Sequence, residues 1–542
     1  MKAVGASLLV LSCALSGCVK SSSLSAGRHY WTRPGLLRVA VADEPKNLNP
    51  LLAGTTGEVF IDRLMFEPLL SADPRGNPAP MLAASVPTQA NGGISADGLT
   101  IRYSLRRDAR WSDGVPVSAG DVEFSWKAIE NSNNDVVSRH GYDDVRAIDV
   151  PNAHTLIVHL KKRFSPFVNT FFAESDQPYD VVPAHILARY ADINHVAFDA
   201  APAVSDGPFR FAQWRRGDRI ELTANPTFFE GRPGLKQVEI DFVPNEDSAI
   251  NLLRTHAVDY IFQPSIQTYL TLRTLSDSRI VWVNVNGFEG VEFNLSHPVI
   301  SDTRVRRAIA AAIDKVSLTQ RLTHGQTTVA TEDLPNWMWA FDPNVRSVPY
   351  DPAAAKDLLA QDGWAPGPDG MLRKSGQPLE LLFVTDNAQA THRSEALLIQ
   401  AALRRIGIAV EIKYYPFDIL YAPEAMGGIQ HGGKFDMLLY SWYAGIDPDN
   451  SSQLTCDNFP PHGYNDPHYC SPAMDAVQAM ALSHYDQVMR TVAYAKIEHL
   501  LSIDNPILFF WWQRQQEAIS VDFHGFDPNP VIESWNAWKW NI

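Results

Sequence analysis

The chain has 542 residues, a formal net charge of −15, 45% hydrophobic residues and 20% charged residues. At about 150 residues per domain, this length predicts roughly three or four structural units, and the composition is that of a globular rather than a disordered protein. The negative charge argues against nucleic acid as a partner, because neutralising phosphates requires clustered Lys and Arg. The longest basic run is Lys161-Lys162-Arg163.

The N-terminus has the pattern of an export signal. Residues 3–15 are apolar or small, and this stretch is too short for a transmembrane helix, which needs about 20 apolar residues. It ends in Leu15-Ser16-Gly17-Cys18, which resembles the lipobox of bacterial lipoproteins. We therefore expect residues 1–17 to be a signal peptide, Cys18 to carry a lipid that anchors the chain to a membrane, and 18–35 to form a tether. An ordinary cleaved signal with an incidental Cys is the alternative.

The body of the chain mixes predicted strands and helices. Period-two alternation and short apolar runs predict strands at 37–42, 101–105, 220–223, 238–243, 291–295, 408–414 and 435–441. Apolar residues at helical spacing predict helices at 58–70, 122–129, 247–253, 302–322, 352–359, 394–406 and 485–503. The mixture predicts an α/β fold with both parallel and antiparallel strand pairing.

Two cysteines near the C-terminus predict a covalent link. An exported protein meets an oxidising compartment, so we expect Cys456 and Cys470 to form a disulfide. A metal site is the alternative, because His462 and His468 lie in the same loop. Zinc sites usually use close pairs such as Cys-x2-Cys, and the spacing here is different. We therefore predict a disulfide and no metal.

No enzyme motif is present. The chain lacks G-x-S-x-G, HExxH and GxGxxG sequences, and a pair of acid–base carboxylates is neither supported nor excluded. Two aromatic residues are more informative, since Trp442 and Tyr443 lie between an apolar strand and the turn that begins at Asp447. Such residues often line ligand cavities. We predict no catalytic residue and no cofactor.

An ordered series of motifs runs along nearly the whole mature chain. Residues 97–122 contain DGLT, LR, W-x-DG-x-P and A-x-DV elements, and shorter matches occur at 66–70, 206–209, 302–309 and 350–359. They resemble the extracellular solute-binding proteins of family 5, the oligopeptide and dipeptide receptors of ABC importers. The resemblance implies a two-lobed periplasmic-binding-protein clamshell of type II, with mixed sheets and a hinge. Lobe one would be 36–283 with 511–542 returning to it, and lobe two would be 284–510.

The resemblance also implies a ligand site. The segments that match peptide-pairing backbone are Gly54, Thr55 and Thr56 in lobe one and Ser441, Trp442 and Tyr443 in lobe two. The Asp that holds the ligand's amino group in peptide-binding relatives is matched by Gly445. Asp447 either replaces that amine anchor or belongs to the Asp-Pro-Asp-Asn turn. The Cys456–Cys470 pair matches a loop disulfide of dipeptide receptors.

The leading functional hypothesis is a monomeric lipoprotein receptor of the periplasm or cell envelope. It would capture peptides or a peptide-like solute by lobe closure and deliver them to the permease subunits of an ABC importer. One alternative is a receptor of the same fold for a non-peptide solute, such as a metal chelate, a sugar or an opine. Others are an envelope hydrolase and a sensory or structural lipoprotein that keeps the fold.

Overall fold

The structure, a computed structural model, describes residues 28–387 and 389–542. The predicted signal peptide, Cys18 and most of the tether therefore lie outside the described residues. The strands are Leu36–Val41 (β1), Leu70–Ala72 (β2), Pro78–Pro80 (β3), Thr100–Ser104 (β4), Val145–Asn152 (β5), Thr155–Leu160 (β6), Phe209–Arg215 (β7), Arg219–Ala224 (β8), Gln237–Phe242 (β9), Tyr260–Ile261 (β10), Ser278–Phe293 (β11), Ala365–Pro366 (β12), Leu372–Lys374 (β13), Gln377–Pro378 (β14), Glu380–Asp386 (β15), Ala409–Tyr415 (β16), Met437–Tyr443 (β17) and Ile507–Ser520 (β18).

Helices connect most of these strands. They are Thr56–Asp62 (α1), Ala119–Glu130 (α2), Phe167–Thr170 (α3), Ala184–Leu187 (α4), Ala197–Ala200 (α5), Glu246–Arg254 (α6), Tyr269–Leu272 (α7), Thr303–Ala312 (α8), Lys315–Leu322 (α9), Pro352–Gln361 (α10), Ala390–Arg405 (α11), Phe417–Leu420 (α12), Ser451–Leu454 (α13), Pro472–Ser483 (α14) and Gln487–Asp504 (α15). Among the described residues, no helix combines the length and apolar character that crossing a membrane requires.

One mixed sheet of ten strands organises the fold, in the order β16-β15-β17-β11-β18-β10-β1-β9-β8-β7. Strand β1 is parallel to β9 and β10, and β15 is parallel to β16 and β17. Strand β11 is antiparallel to β17 and β18. The predicted α/β class with both kinds of pairing is confirmed.

The two central strands are also the longest, with 16 residues in β11 and 14 in β18. They pair from Ser278–Ser520 to Glu292–Ile507, with a shift of register between Asn284 and Phe288. The predicted chain crossings, at 283/284 and 510/511, fall within these strands. We keep the names lobe one (36–283 and 511–542) and lobe two (284–510) for the two sides.

Separate apolar cores lie on the two sides of this central strand pair. The largest core is built from residues between Leu37 and Phe262 and between Ile519 and Ile542. Two further cores are built from residues between Phe288 and Trp512. Each half of the sheet therefore packs mainly against its own lobe, with Trp511 and Trp512 at the crossing contributing to the cores of lobe two.

Two predicted helices have different bounds in the structure. The helix predicted at 302–322 is two helices, α8 and α9, because Asp314 interrupts the first and caps the second by accepting a hydrogen bond from Ser317 N (3.1 Å). The helix predicted at 58–70 ends at Asp62. Pro68 lies a few residues further on, and a proline disfavours helical backbone in the residue before it.

Candidate functional site

Two adjoining cavities lie between the lobes, one on each side of Tyr443. The Thr55 cavity has a volume of about 160 Å³ and is lined by residues 54–56, 175–178 and 530–533 together with Tyr443. The Glu289 cavity has a volume of about 280 Å³ and is lined by residues that include Glu289, Ser441, Tyr443 and Arg514. Gln263, Tyr443 and Gln515 line both cavities. The two cavities therefore adjoin at these three residues, and we refer to them together as the cleft.

The wall from lobe one is fixed by a buried carboxylate. Glu58, in the first turn of α1, accepts hydrogen bonds from Gly54 N (2.8 Å) and Lys46 N (2.8 Å). The hydroxyl of Thr55 caps α1 by accepting a hydrogen bond from Glu58 N (3.2 Å). These bonds fold the loop before α1 so that Gly54, Thr55 and Thr56 all line the Thr55 cavity.

The wall from lobe two is the C-terminal end of β17. Side chains alternate between the two faces of a strand, and Ser441 and Tyr443 line the cleft. Trp442 points to the other face. There its ring lies 5.6 Å from the ring of Tyr464, and it lines a smaller, separate cavity with Phe288. The structure thus brings Ser441 and Tyr443 together with the predicted lobe-one segment, but not Trp442.

Gly445 lies against the backbone of lobe one. A Cβ atom at this position would come within 2.6 Å of the carbonyl oxygen of Glu174. The next residue, Ile446, donates a backbone hydrogen bond to that same oxygen (2.9 Å). A side chain at 445 is therefore excluded in this arrangement, which explains why an Asp cannot occupy the position.

The carboxylate of Asp447 is engaged within the protein. Asp447 is 8% exposed and forms an ion pair with Arg490, whose Nη1 donates to Oδ2 at 2.9 Å. Asn169 of lobe one donates to the same oxygen (3.1 Å), and Asp449 N donates to Oδ1 (3.2 Å). Asp447 does not line either cavity of the cleft. This geometry favours the turn interpretation of Asp447 over the amine anchor.

Glu289 lines the cavity named after it, and both of its carboxylate oxygens have partners. Its Oε2 accepts hydrogen bonds from Ser441 Oγ (2.6 Å) and Gln513 Nε2 (3.0 Å), and its Oε1 lies 3.0 Å from Nε2 of His392. His392 Nδ1 lies 2.5 Å from Asp386 Oδ2. Burial lowers the pKa of His392, but the two carboxylates outweigh it and hold that pKa well above its ordinary value. Glu289 is thus paired with a cationic imidazole.

Glu533 lies on the other side of Tyr443 and has a different environment. Its Oε1 accepts a hydrogen bond from Gln263 Nε2 (2.7 Å), and the side chain is 5% exposed. Burial raises the pKa of Glu533 to about 7.

The charges of Glu289 and Glu533 both affect the hydroxyl of Tyr443. Although 42% of its surface is accessible, burial of its hydroxyl between the lobes, followed by the charges of Glu289 and Glu533, raises the pKa of Tyr443 to about 12.

Sequence reasoning missed several residues that line the cleft, among them Asp176, Gln263, Glu289 and Glu533. It also missed His392, which pairs with Glu289. Asp176 and Glu533 come from segments more than 350 residues apart in sequence, and no local pattern marks either. Glu289 could have been found if the strand predicted at 291–295 had been extended by two residues, because Glu289 lies between Phe288 and Gly290 just before it.

With this geometry established, the comparisons with known proteins decide the family. The family described as "Bacterial extracellular solute-binding proteins, family 5 Middle" matches residues 77–461. The chain belongs to this family. The predicted resemblance is therefore confirmed, and the protein is a solute-binding protein of family 5.

Relatives of this solute-binding protein match it along nearly its whole length. The oligopeptide-binding protein AppA of Bacillus subtilis is 25% identical over 547 residues, which cover 98% of this chain and 97% of AppA. The crystallised AppA in complex with a nonapeptide has a TM-score of 0.78 at 22% identity and covers 94% of this chain and 99% of its own. NikZ of Campylobacter jejuni in complex with Ni(L-His) has a TM-score of 0.80 at 24% identity and covers 94% and 100%. These similarities confirm the two-lobed type II fold.

The disulfide predicted in this solute-binding protein is present. Cys456 and Cys470 are bonded at an S–S distance of 2.10 Å. The metal alternative for the same loop is wrong, because both cysteine sulfurs are used in the disulfide. In residues 28–387 and 389–542, no group of three or more His, Cys, Asp or Glu is arranged to hold a metal ion.

Proposed function

We propose that the protein captures a peptide, or a peptide-like solute, between its lobes and delivers it to the permease of an ABC importer without chemical turnover. The observation that carries the proposal is the free side of β17. Strand β15 pairs with β17 only at Phe383–Met437 and Val384–Leu438. Within the described residues, Ser441 to Tyr443 therefore pair with β11 on one side and with no strand on the β15 side.

A strand edge that faces a cleft suits an extended peptide. Main-chain hydrogen bonds to such an edge give affinity that depends little on the peptide's side chains. The opposite wall offers the backbone of Gly54, Thr55 and Thr56. Pockets for small ligands usually measure about 300–1,000 Å³, so the cavities of 160 and 280 Å³ reach this size only when one ligand spans both.

Direct contacts between the lobes support capture by closure. Ser165 N of lobe one donates to Leu482 O of lobe two (2.7 Å), and the hydroxyl of Tyr485 in lobe two donates to Gly98 O of lobe one (2.9 Å). Asn169 and Asp447 add a third contact between the lobes (3.1 Å). A ligand that touches both walls favours the arrangement in which these contacts form, since it binds that state more tightly.

Membrane attachment belongs to the same proposal. The motif ending at Cys18 supports a lipid anchor, with residues 18–35 as a tether and the folded body acting as a monomer in the periplasm or cell envelope. Replacing Cys18 by Ser should release the protein from membranes on fractionation. Retention of the Cys18→Ser variant in the membrane fraction would contradict the anchor.

The function is tested by native mass spectrometry of the protein purified from its own cells. We expect short peptides bound at one per chain, and peptides added in excess should exchange with them. Tyr443→Ala should weaken peptide binding about tenfold, as is usual for a central aromatic contact. Tyr350→Ala, at a tyrosine that is 50% exposed outside the cleft, is the matched control and should change nothing. A single bound non-peptide mass would contradict the peptide assignment.

A further inference from the structure

The Thr55 cavity has an unbalanced charge. Its lining contains two carboxylates, those of Asp176 and Glu533, and no Lys, Arg or His. Neither carboxylate forms an ion pair with any residue that the structure describes. The Glu289 cavity differs, because Arg514 lines it beside its two carboxylates, Glu246 and Glu289, and His392 is paired with Glu289. The Thr55 cavity is therefore the one whose lining has carboxylates and no cationic residue.

Glu533 is held in position by a chain of hydrogen bonds. Gln263 Nε2 donates to its Oε1 at 2.7 Å, and the hydroxyl of Thr56 donates to Gln263 Oε1 at 3.3 Å, which fixes the amide. Behind Gln263, the carboxylate of Glu517 accepts from Gln263 N (3.0 Å) and from the hydroxyl of Tyr260 (2.9 Å). Glu533 is thus held at the cavity wall with one neutral donor and no cation.

Asp176 lies beside Gly445 of lobe two, a position that has no room for a carboxylate side chain. Gly445 lies against the backbone of Ser175, the residue directly before Asp176, and the contact leaves no room for a side chain at 445. Asp176 is exposed at the cavity wall, and its charge helps to raise the pKa of His140. A negative charge is therefore present at this end of the cleft, but it belongs to lobe one.

We propose that the Thr55 cavity binds a cationic group of the ligand, with Glu533 and Asp176 as its counter-ions. This inference rests on the proposed function, since it names the part of a captured solute that the cavity selects. A buried carboxylate without a cationic partner is unfavourable, and an ammonium or guanidinium group supplies the missing charge together with further hydrogen-bond donors. The group can be the amino terminus of a peptide or the side chain of a Lys or Arg.

The test uses two libraries of tripeptides built from neutral residues, one with free amino termini and one N-acetylated, and a third, acetylated library that contains Lys. Occupancy is measured by native mass spectrometry on the full folded protein. Wild type should bind the free-amine library at least about tenfold better than the acetylated neutral one, as expected for charge-assisted hydrogen bonds. Binding of the acetylated Lys library at the level of the free-amine library would identify a side-chain cation as an equal source.

The variants assign the effect to the cavity. Glu533→Gln keeps the shape of the side chain, and Asp176→Asn alters an exposed position, so both should remain folded. Each should reduce the preference for cationic libraries by about tenfold. Glu123→Gln, on the surface of α2 where Glu123 pairs with Lys127, removes the same charge elsewhere and should leave the preference intact.

The outcomes separate this inference from the proposed function. Equal binding of the free and acetylated neutral libraries by wild type, or an unchanged preference in both cavity variants, would overturn the cationic subsite and leave peptide capture standing. Failure of all three libraries to bind would overturn peptide capture, and this inference with it.

Discussion

The two cavities of the cleft each contain a buried carboxylate, and the two carboxylates differ in their partners. In the Glu289 cavity, Glu289 shares the cation of His392 with Asp386, and its other oxygen accepts hydrogen bonds from Ser441 and Gln513. In the Thr55 cavity, Glu533 accepts a hydrogen bond from the amide of Gln263 and forms no ion pair with a described residue. Both side chains are almost fully buried, at 3% and 5% exposed. The difference therefore lies in the partners and not in the access of solvent.

This difference suggests separate roles for the two carboxylates: Glu289 stabilises the fold, and Glu533 is available to a ligand. A buried ion pair is costly to break because one charge is left without a partner. A buried carboxylate that never had a cation loses nothing when it is made neutral. Glu289 thus has its cation within the protein, whereas we expect Glu533 to receive one from the ligand.

The largest expected effect on stability comes from removing His392, the cation that pairs with Glu289. His392→Gln should lower the free energy of unfolding by about 3–5 kcal/mol, because Glu289 and Asp386 lose their shared cation. Glu533→Gln should leave the free energy of unfolding unchanged or raise it at pH 7. Urea unfolding of both variants, with Glu123→Gln as the control, measures the difference. A loss in Glu533→Gln as large as that in His392→Gln would show that the two carboxylates are alike.

The sequence predicted the scaffold of this contrast better than its charges. The helix predicted at 485–503 and the strand predicted at 435–441 follow from local patterns, and the structure contains both with shifted ends, at Gln487–Asp504 and Met437–Tyr443. Strand alternation places Trp442 and Tyr443 on opposite faces of β17, whereas the resemblance implies that both lie at the ligand site. Glu533 could not be found in this way, because its role depends on a tertiary contact with Gln263, which lies 270 residues earlier in the sequence.

A second expected effect comes from the protonation of Glu533. The pKa of Glu533, about 7, is above its unfolded value of about 4.3, so folding takes up a proton between these values. The stability of wild type relative to Glu533→Gln should therefore fall as the pH rises from about 4.5 to 7, by about 2–3 kcal/mol in total. Unfolding free energies at several pH values give this difference directly.

The same proton links the pH to ligand binding. Near pH 7 about half of the Glu533 side chains are protonated, and a bound cation favours the ionised form, so binding should release roughly half a proton per chain. Calorimetry of peptide binding in buffers of different ionisation enthalpy measures this release. Glu533→Gln should release less, and identical release in the two proteins would show that Glu533 does not face the ligand's charge.

The smallest expected effect is on closure itself, at an ion pair outside both cavities. His140 of lobe one lies 3.5 Å from Asp449 of lobe two. Burial lowers the pKa of His140, but Asp449, with help from Asp176 and Asp143, raises it to about 9. A raised pKa of a histidine means that the pair stabilises the closed arrangement fully below about pH 6.5 and is lost as the pH rises through about 9.

Affinity for a peptide should therefore fall a few-fold more steeply in wild type than in His140→Gln between pH 7 and 10. Comparing the two proteins at each pH removes the titration of the ligand's own amino group, which is the same in both. His159→Gln is the matched control, because His159 pairs with Asp149 within lobe one and does not connect the lobes (2.9 Å). If His140→Gln and His159→Gln follow the same profile as wild type, closure does not depend on the His140–Asp449 pair, and the charges that govern binding are those of the cleft alone.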